Sequence, residues 1–421
     1  MKLFLPACRP EEADFIAEYP LPFPAEGTEL EGEEALFAHM TWKERLSPRI
    51  PEKELRPAFH FAPAHGWLND PNGCYFRDGE WHLYFQHNPL ASVWSNMHWG
   101  HAVSRDLLHW EERDIALYPD AEGTMYSGSA VIDHENCAGF GRDKVLLYYT
   151  NCSYDNQGTQ CLAVGDGDSF RKIKGNPLIA CLSGKCDRDP NLAFDPAAKV
   201  WRMAIFSGAE NKPDFLLFAS DDLLHWEKTD TYEIPGGGEC PGIRLMKDTV
   251  SGEKKWVFTE ANGLFRIGSV SSGGKVSFET DPEFFVAGDA YAGQFFYDAP
   301  EGRSVFISWL KIPHLSFSTW CGCMTLPLDV RLENKRLKCR PAVSVPSEDF
   351  SAERKTVLRG KNREICFDPE QGTISDGTKS WRVQEPGEPF AGRIVRDHAV
   401  LEYFDARERY AAAFFFRDII R

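Results

Sequence analysis

The chain has 421 residues, of which 43% are hydrophobic and 26% are charged, so it is long enough for two domains and apolar enough to bury a core. Its formal net charge of −16 repels phosphate backbones and anionic lipid, and we expect neither nucleic acid nor membrane as a partner. No apolar run approaches the roughly eighteen residues that a membrane helix needs.

The N-terminal residues give an expectation about the compartment. The start, MKLFLPACRPEEADF, turns polar and acidic after a short apolar stretch, whereas a secretory signal would stay apolar and end in small residues. We therefore expect a cytoplasmic protein whose 12 cysteines are free thiols. Neither Cys321-x-Cys323 nor Cys181-x4-Cys186 has the four-ligand spacing of structural zinc, so no metal is expected. Residues 1–55, rich in Glu and Pro, are interpreted as an N-terminal extension.

An internal repeat organises the chain from about residue 56 to residue 335. The phrase SRDLLHWEE returns as ASDDLLHWEK, with weaker versions between and after. The aromatic anchors of this series, at intervals of 60, 56 and 52 residues, are Trp110, Phe170, Trp226 and Phe278.

A second series of short apolar segments runs out of phase with the first. Its members begin near Asp70, Ser127, Asp189, Glu239 and Gln294. Each meets a turn and then a second apolar strand such as EWHLYFQ or KVLLYYT, a pattern typical of antiparallel β structure. Five units of about 55 residues, each with room for four strands, predict an all-β fold with a five-bladed β-propeller over 56–335. The alternative is an irregular β-sandwich with accidental similarity between segments.

The tail of the chain differs from the repeats. The period is lost after about Pro327, and residues 340–421 carry short alternating strands such as GRIVRDHAVLEYFDA. This pattern predicts a short C-terminal β-sandwich-like module packed against the propeller. No particular oligomeric state is predicted.

Three of the five positions that open the second series are carboxylates. Because the innermost strands of a propeller line one channel, Asp70, Asp189 and Glu239 are expected to converge there. Glycosidic bonds are cleaved by two carboxyl groups, one an acid and the other a nucleophile or base. Taken singly, each has a structural interpretation: Asp70 lies in the turn sequence N-D-P-N-G, Asp189 precedes a proline and Glu239 follows three glycines. Their shared position in successive units favours a role in chemistry.

Seven motifs, in order along the chain, resemble those of glycoside hydrolase family 32, which includes invertases, sucrose-6-phosphate hydrolases and fructan β-fructosidases. They are WLNDPNG (67–73), QHNP (86–89), WGHAVSRDLLHW (99–110), YSGSAV (126–131), RDP (188–190), ECP (239–241) and GCMTLP (322–327). The resemblance covers about 57–330. It implies a propeller followed by a β-sandwich and a retaining β-fructofuranosidase acting on sucrose, sucrose 6-phosphate or short fructo-oligosaccharides, without metal or cofactor.

The resemblance also implies roles for individual residues. Asp70 matches the family nucleophile, Glu239 the acid/base, and Asp189, with Arg188, the group that stabilises the transition state. The residues that match substrate contacts are Asn69, Gln86, Trp94, Ser127, Arg188 and Trp309. The two tryptophans also fit core packing. For a retaining pair, the carboxyl groups of Asp70 and Glu239 should lie about 5–5.5 Å apart.

Three other functions remain open. A fructosyltransferase on the same scaffold would pass the fructosyl group to a sugar instead of water. A non-catalytic carbohydrate-binding propeller should have lost at least one carboxylate. An inverting glycosidase of the arabinanase type would hold its carboxyls farther apart. The chain departs from the family pattern at Leu328, where Arg is usual, and in its shorter tail, so we expect a looser contact with a reduced sandwich.

Overall fold

The computed structural model describes most of the chain. The described residues are 55–209, 215–312, 319–360 and 363–416, together with the backbone of β1 (Lys2–Leu5) and β2 (Thr28–Glu31). These two strands pair antiparallel, and the rest of the predicted extension (1–55), apart from Leu55, lies outside the described residues. Within the described part the chain is all-β, as predicted, with one short 3-10 turn at Pro300–Gly302 and no helix that could cross a membrane.

Three antiparallel sheets of consecutive strands come first along the chain. The first sheet contains β3 (Gly66–Arg77), β4 (Glu80–Asn88), β5 (His98–Ser104) and β6 (Trp110–Leu117). The second sheet contains β7 (Thr124–Asp133), β8 (Lys144–Cys152), β9 (Gly158–Gly165) and β10 (Phe170–Lys172). The third sheet contains β11 (Arg188–Asp195), β12 (Val200–Phe206), β13 (Phe215–Ser220) and β14 (Glu227–Tyr232).

Two further sheets follow. The fourth sheet contains β15 (Gly242–Lys247), β16 (Lys254–Thr259), β17 (Leu264–Val270), β18 (Val276–Phe278) and β19 (Glu283–Phe284). The next strand, β20 (Val286–Gly288), belongs to neither of these two sheets. The fifth sheet contains β21 (Ala290–Phe295), β22 (Val305–Leu310), β24 (Cys323–Met324), β25 (Leu328–Glu333) and β26 (Arg336–Pro341). The short strand β23 (Trp320–Cys321) instead pairs in parallel with β3 of the first sheet. The fifth sheet therefore runs to Pro341, past the boundary expected at 335.

The five sheets form a closed ring. The first strand of each contacts the first strand of the next, from β3 through β7, β11 and β15 to β21, and β21 contacts β3 again. The aromatic anchors of the first repeat series lie in or beside the last strands of four sheets. The two repeat series thus correspond to the innermost and outermost strands of the ring.

The repeated phrase DLLHW folds identically in the first and third sheets. Asp106 Oδ1 accepts hydrogen bonds from the backbone N–H groups of Leu108 and His109 at 2.9 and 2.8 Å, and its Oδ2 lies 2.7 Å from the His109 ring. Asp222 makes the same three contacts at 2.9, 2.8 and 2.6 Å. In both sheets the aspartate holds the turn that leads into the outermost strand.

The C-terminal residues form two facing sheets. Their strands are β27 (Glu348–Ala352), β28 (Thr356–Arg359), β29 (Glu364–Asp368), β30 (Thr373–Ser375), β31 (Ser380–Arg382), β32 (Phe390–Asp397), β33 (Val400–Asp405) and β34 (Ala411–Phe415). Strands β28 to β31 form one sheet, and β27, β32, β33 and β34 form the other together with β20. Apolar side chains fill the space between them, as in the Phe367–Tyr403 ring contact at 5.3 Å.

The ring and the C-terminal sheets are joined by apolar packing and by a buried ion pair. Leu328 is 3% exposed and belongs to an apolar cluster that also contains Phe404 and Phe415 of the C-terminal sheets. His60, just before β3, lies 2.8 Å from the Asp397 carboxylate, and Asp397 also accepts the backbone N–H of Ala58 at 2.7 Å. Apolar contact therefore closes the junction at the position where the family usually has Arg.

Candidate functional site

The innermost strands bring polar side chains from all five sheets into one pocket. Its lining includes Asp70 of β3, Ser127 of β7, Asp189 of β11, Cys240 just before β15 and Gln294 of β21. Gln294 fastens three of these strands, because its amide donates to the Gly128 carbonyl at 3.0 Å and accepts from the Cys74 N–H at 3.1 Å. Four of the five positions that open the second repeat series therefore line this pocket, and the fifth, Glu239, precedes Cys240.

Asp70 reaches the pocket because its strand is irregular there. The register between β3 and β4 shifts between Leu68 and Pro71, and such a bulge re-aims the side chain that it carries. Pro71 has no N–H to donate to the ladder, which suits a break in pairing. In the pocket, Ser127 Oγ donates to Asp70 Oδ2 at 2.6 Å.

Asp189 is placed by a second irregularity. Its φ of 65° lies in the left-handed region, and the register of β11 shifts between Arg188 and Asn191. The strained backbone is stabilised by a hydrogen bond from the Asp189 N–H to Thr150 Oγ1 at 3.0 Å. The Asp189 carboxylate, 6% exposed as a residue, accepts the Cys240 N–H at 3.1 Å.

Glu239 is held from two sides. Arg188 donates to Glu239 Oε2 from Nε at 3.0 Å and from Nη2 at 2.6 Å, and the Tyr291 hydroxyl donates to Oε1 at 2.9 Å. The same guanidinium donates from Nη1 to the Cys186 carbonyl at 2.8 Å and lies 3.8 Å from the Asp189 carboxylate. Arg188 thus fixes Glu239 and links it to Asp189.

The Cys240 sulfur completes the connection between the acids. It lies 3.7 Å from Asp70 Oδ2 and 3.4 Å from Asp189 Oδ2. The three predicted carboxylates are therefore brought together, Asp70 to Asp189 through Cys240, and Asp189 to Glu239 through Arg188.

Burial and mutual repulsion dominate the electrostatics of the two aspartates. Burial raises the pKa of Asp70, the charge of Glu239 raises it further, and hydrogen bonds from Ser127 and Asn69 offset part of the rise. Burial also raises the pKa of Asp189; Arg188 opposes this change, and the neighbouring carboxylates add to it. Crowded, desolvated carboxyls of this kind are typical of catalytic sites.

Two of the predicted contact residues are buried amides beside the Asp70 bulge. Asn69 is 7% exposed and accepts a hydrogen bond from Trp67 Nε1 at 2.7 Å. Gln86 of β4 is 2% exposed, and its Nε2 has no hydrogen-bond partner among the described residues. An unpaired buried amide donor is costly, by about 1–3 kcal/mol, unless a ligand supplies the acceptor.

The two predicted tryptophans have different surroundings. Trp94 is 43% exposed, with its ring 5.8 Å from that of Tyr126, the neighbour of Ser127. Trp309 is half-buried and lies 6.2 Å, ring to ring, from Tyr291. The exposed face of Trp94 does not fit core packing, whereas Trp309 combines packing with a place beside the acid group.

Two residues of the site were not predicted from the sequence. Tyr291 binds Glu239 directly, and Lys311 places its Nζ 3.1 Å from the centre of the Tyr291 ring. The sequence marked the fifth innermost strand near Gln294, and Tyr291 lies three residues before that position. Lys311 follows β22, and no repeat or spacing in the sequence distinguishes it.

Comparisons with known proteins agree with this architecture. Two solved structures share the fold: a Schwanniomyces occidentalis fructofuranosidase complexed with fructose (TM-score 0.72, 22% identity, 87% of this chain and 93% of that one) and a Bombyx mori GH32 β-fructofuranosidase mutant complexed with sucrose (0.73, 23%, 92% and 95%).

Curated relatives are similar in sequence. A levanase of Bacillus subtilis (strain 168) is 30% identical over 346 residues, covering 75% of this chain and 50% of the levanase. An invertase of Debaryomyces hansenii is 37% identical over 218 residues, covering 48% of this chain and 40% of the invertase. The matches thus span half or less of these relatives' own length. Residues 60–341 match the family model described as the glycosyl hydrolases family 32 N-terminal domain, and the chain therefore belongs to glycosyl hydrolase family 32.

Proposed function

We propose that the chain is a retaining β-fructofuranosidase that hydrolyses the terminal β-D-fructofuranosyl bond of sucrose, sucrose 6-phosphate or short fructo-oligosaccharides. The observation that carries the proposal is the meeting of Asp70, Asp189 and Glu239 from separate sheets around Cys240 and Arg188. The names of the relatives, a levanase and an invertase, support a fructosyl substrate. We also propose that the ring of sheets is a five-bladed β-propeller and the two facing sheets its sandwich.

In the proposed mechanism, Asp70 attacks the anomeric carbon C2 while Glu239 protonates the leaving oxygen. A water molecule, activated by the Glu239 carboxylate, then breaks the fructosyl–Asp70 ester. Ser127 favours the ionised form of Asp70 by donating to it, and Asp189 accepts hydrogen bonds from fructose hydroxyls.

The remaining polar and aromatic groups fit a sugar. The free Nε2 donor of Gln86 would find its acceptor in a fructose hydroxyl, which would remove the cost of leaving it unpaired. The exposed ring of Trp94 offers a flat apolar surface against which the C–H face of a sugar packs.

Among the three leaving groups, a phosphorylated one has a specific observation in its favour. Lys311 touches Tyr291, which binds the proposed acid. Burial lowers the pKa of Lys311, the charge of Lys379 lowers it further, and the charges of Asp70 and Glu239 oppose the change. A cation beside the leaving-group acid would attract a phosphate. We therefore expect Lys311→Met to reduce kcat/KM for sucrose 6-phosphate more than for sucrose.

The test is a substrate panel with released fructose as the readout. Sucrose, sucrose 6-phosphate and a short fructo-oligosaccharide would be compared for the wild-type chain and for Asp70→Ala. The matched control is Asp78→Asn, at an exposed carboxylate in the turn after β3. We expect Asp70→Ala to lose activity on every substrate and Asp78→Asn to retain it. No fructose release by the wild-type chain from any of the three sugars would refute the proposal.

Product analysis at high sucrose decides between hydrolysis and transfer. Free fructose in proportion to glucose supports the hydrolase, and accumulation of trisaccharides would make the chain a fructosyltransferase.

We also propose that the protein functions in the cytoplasm. The support is that the eleven cysteines in the described part of the chain form no disulfide, as expected in a reducing compartment. The protein would be isolated without reductant, unfolded and titrated for thiols. We expect nearly all cysteines to be free, and several stable disulfides would point to export.

A further inference from the structure

Two buried cysteines face each other next to the candidate site. Cys152 ends β8 and Cys186 precedes β11, and their sulfur atoms are 3.4 Å apart. The residues are 0% and 5% exposed. Gly158 lies between them, paired with Cys152 in the β8–β9 ladder and bridged to Cys186 on its other side. Neither thiol has a part in the proposed mechanism.

Cys186 is also connected to the acid/base. Its carbonyl accepts the Arg188 Nη1–H at 2.8 Å, and the same guanidinium donates twice to Glu239. Gly208 packs against this carbonyl so closely that a Cβ atom at position 208 would lie only 2.7 Å from the carbonyl oxygen. A movement of Cys186 must therefore be transmitted to Arg188.

We propose that Cys152 and Cys186 are a reversible oxidation site, at which a disulfide forms and weakens the hold of Arg188 on Glu239. The oxidant is a small peroxide. One thiolate attacks the peroxide oxygen and becomes a sulfenic acid with release of water, and the second thiol displaces a second water to form the S–S bond. Two thiols and one hydrogen peroxide thus give one disulfide and two waters.

The geometry indicates which residue moves. A disulfide bond is about 2.05 Å long, so the sulfurs must approach each other by more than about 1 Å. Cys152 is paired with both neighbouring strands of its sheet, whereas Cys186 joins the β8–β9 ladder through its bridge to Gly158. The segment around Cys186 is further held by hydrogen bonds to Asp187 and by the Arg188 contact, in place of regular strand pairing. We therefore expect Cys186 to move more than Cys152, and a shift of its carbonyl changes the contact with Arg188.

The reaction is slow near neutral pH and faster in alkali. The hydrogen bond with Cys152 raises the pKa of Cys186, burial raises it further, and only the thiolate attacks peroxide. The experiment therefore treats the full chain with hydrogen peroxide at about pH 8.5, followed by alkylation and non-reducing peptide mapping by mass spectrometry. We expect a cross-linked peptide pair containing Cys152 and Cys186, which dithiothreitol abolishes.

The effect on activity rests on the proposed function and is measured with two substrates. Oxidation should reduce kcat on sucrose by about tenfold or more, reversibly, because sucrose needs the proton from Glu239. An activated aryl β-fructofuranoside, whose leaving group needs no proton, should lose much less. If the reduced chain cleaves neither substrate, the proposed function fails, while the peptide map still tests disulfide formation.

Three variants separate this site from other oxidation events. After peroxide treatment, Cys152→Ala and Cys186→Ala should each retain the activity that the same variant had before treatment. Cys161 is a buried cysteine in the sheet of Cys152, and Cys161→Ala should respond to peroxide like the wild type. Oxidation of Cys240 would instead inactivate all of them equally. Absence of the 152–186 cross-link in the wild type, or a cross-link with unchanged sucrose activity, overturns the proposal.

Discussion

Glu239 and Asp70 perform different steps, and their removal should be distinguishable. Glu239→Ala removes proton donation, so hydrolysis of sucrose should fall by several powers of ten, while an aryl fructoside should retain its first step. Added azide should restore turnover of the aryl substrate, because a small anion attacks the fructosyl–Asp70 ester without a general base. Asp70→Ala should show neither selective retention of the aryl substrate nor rescue by azide. Equal losses of Glu239→Ala on both substrates, without azide rescue, would mean that Glu239 has another role.

Tyr291 is expected to position Glu239. Tyr291→Phe removes one hydrogen bond to the carboxyl group, an interaction worth about 1.5–3 kcal/mol when one partner is charged. We expect kcat on sucrose to fall about tenfold, with a smaller loss on the aryl substrate. Tyr154→Phe, which removes the hydroxyl of an exposed tyrosine, serves as the control. A kcat that falls equally on both substrates would indicate a purely structural role.

The sequence predicts the acids of the site better than their neighbours. Asp70, Asp189 and Glu239 recur at one phase of the repeat, so topology alone brings them together. Tyr291 was not predicted because the register between β21 and β22 shifts between Tyr291 and Gln294. The alternation of side chains along the strand therefore does not show which way the Tyr291 side chain points. The approach of Cys152 to Cys186 depends on an irregular segment that carries no repeat signal.

Among the structural elements, the two DLLHW turns follow the sequence repeat most closely, because both make the same three contacts. Asp222 accepts two backbone N–H groups and contacts His225, so Asp222→Ala should reduce the free energy of unfolding by about 1–2 kcal/mol. Chemical denaturation measures this change, and Asp221→Ala, at the exposed neighbour, is the control. Equal stability of the two variants would show that the turn needs no aspartate.

The same aspartate gives a pH dependence. Burial disfavours its ionisation, but hydrogen bonds from His225 and Leu224 outweigh burial and lower the pKa of Asp222 from 3.8 to about 2. The folded pKa lies below the unfolded one, so the stabilisation is present above about pH 4 and is lost as the pH falls toward 2. The stability difference between wild type and Asp222→Ala should therefore shrink over this range. A constant difference would contradict the assignment.

At the scale of the whole molecule, the His60 ion pair joins the ring to the C-terminal sheets. Burial alone would lower the pKa of His60, but Asp397 and Glu402 raise it from 6.5 to about 9. Removing one partner of a buried pair costs about 3–5 kcal/mol, so His60→Gln should lower Tm markedly at pH 6. His109→Gln, at an exposed histidine, is the control.

The sign of the pH effect follows from the raised value. The stabilisation by His60 is complete below pH 6.5 and is lost as the pH rises through about 9, so the Tm difference between wild type and His60→Gln should narrow across this window. A difference that widens with pH would mean that the imidazole is neutral in the folded protein. The sequence offers no sign of this contact, since His60 and Asp397 are 337 residues apart.

Strand β20 has a consequence for how the chain can be divided. It pairs in parallel with β34, Val286 opposite Ala411, although more than a hundred residues separate them. A chain cut near residue 340 would leave this strand unpaired in the first fragment, and in the second it would expose the row of N–H and C=O groups along the apolar strand Ala411–Phe415. Such open edges recruit strands from other molecules. Neither fragment is then a self-sufficient unit: each would expose an open strand edge and aggregate, so the two parts must fold as one chain.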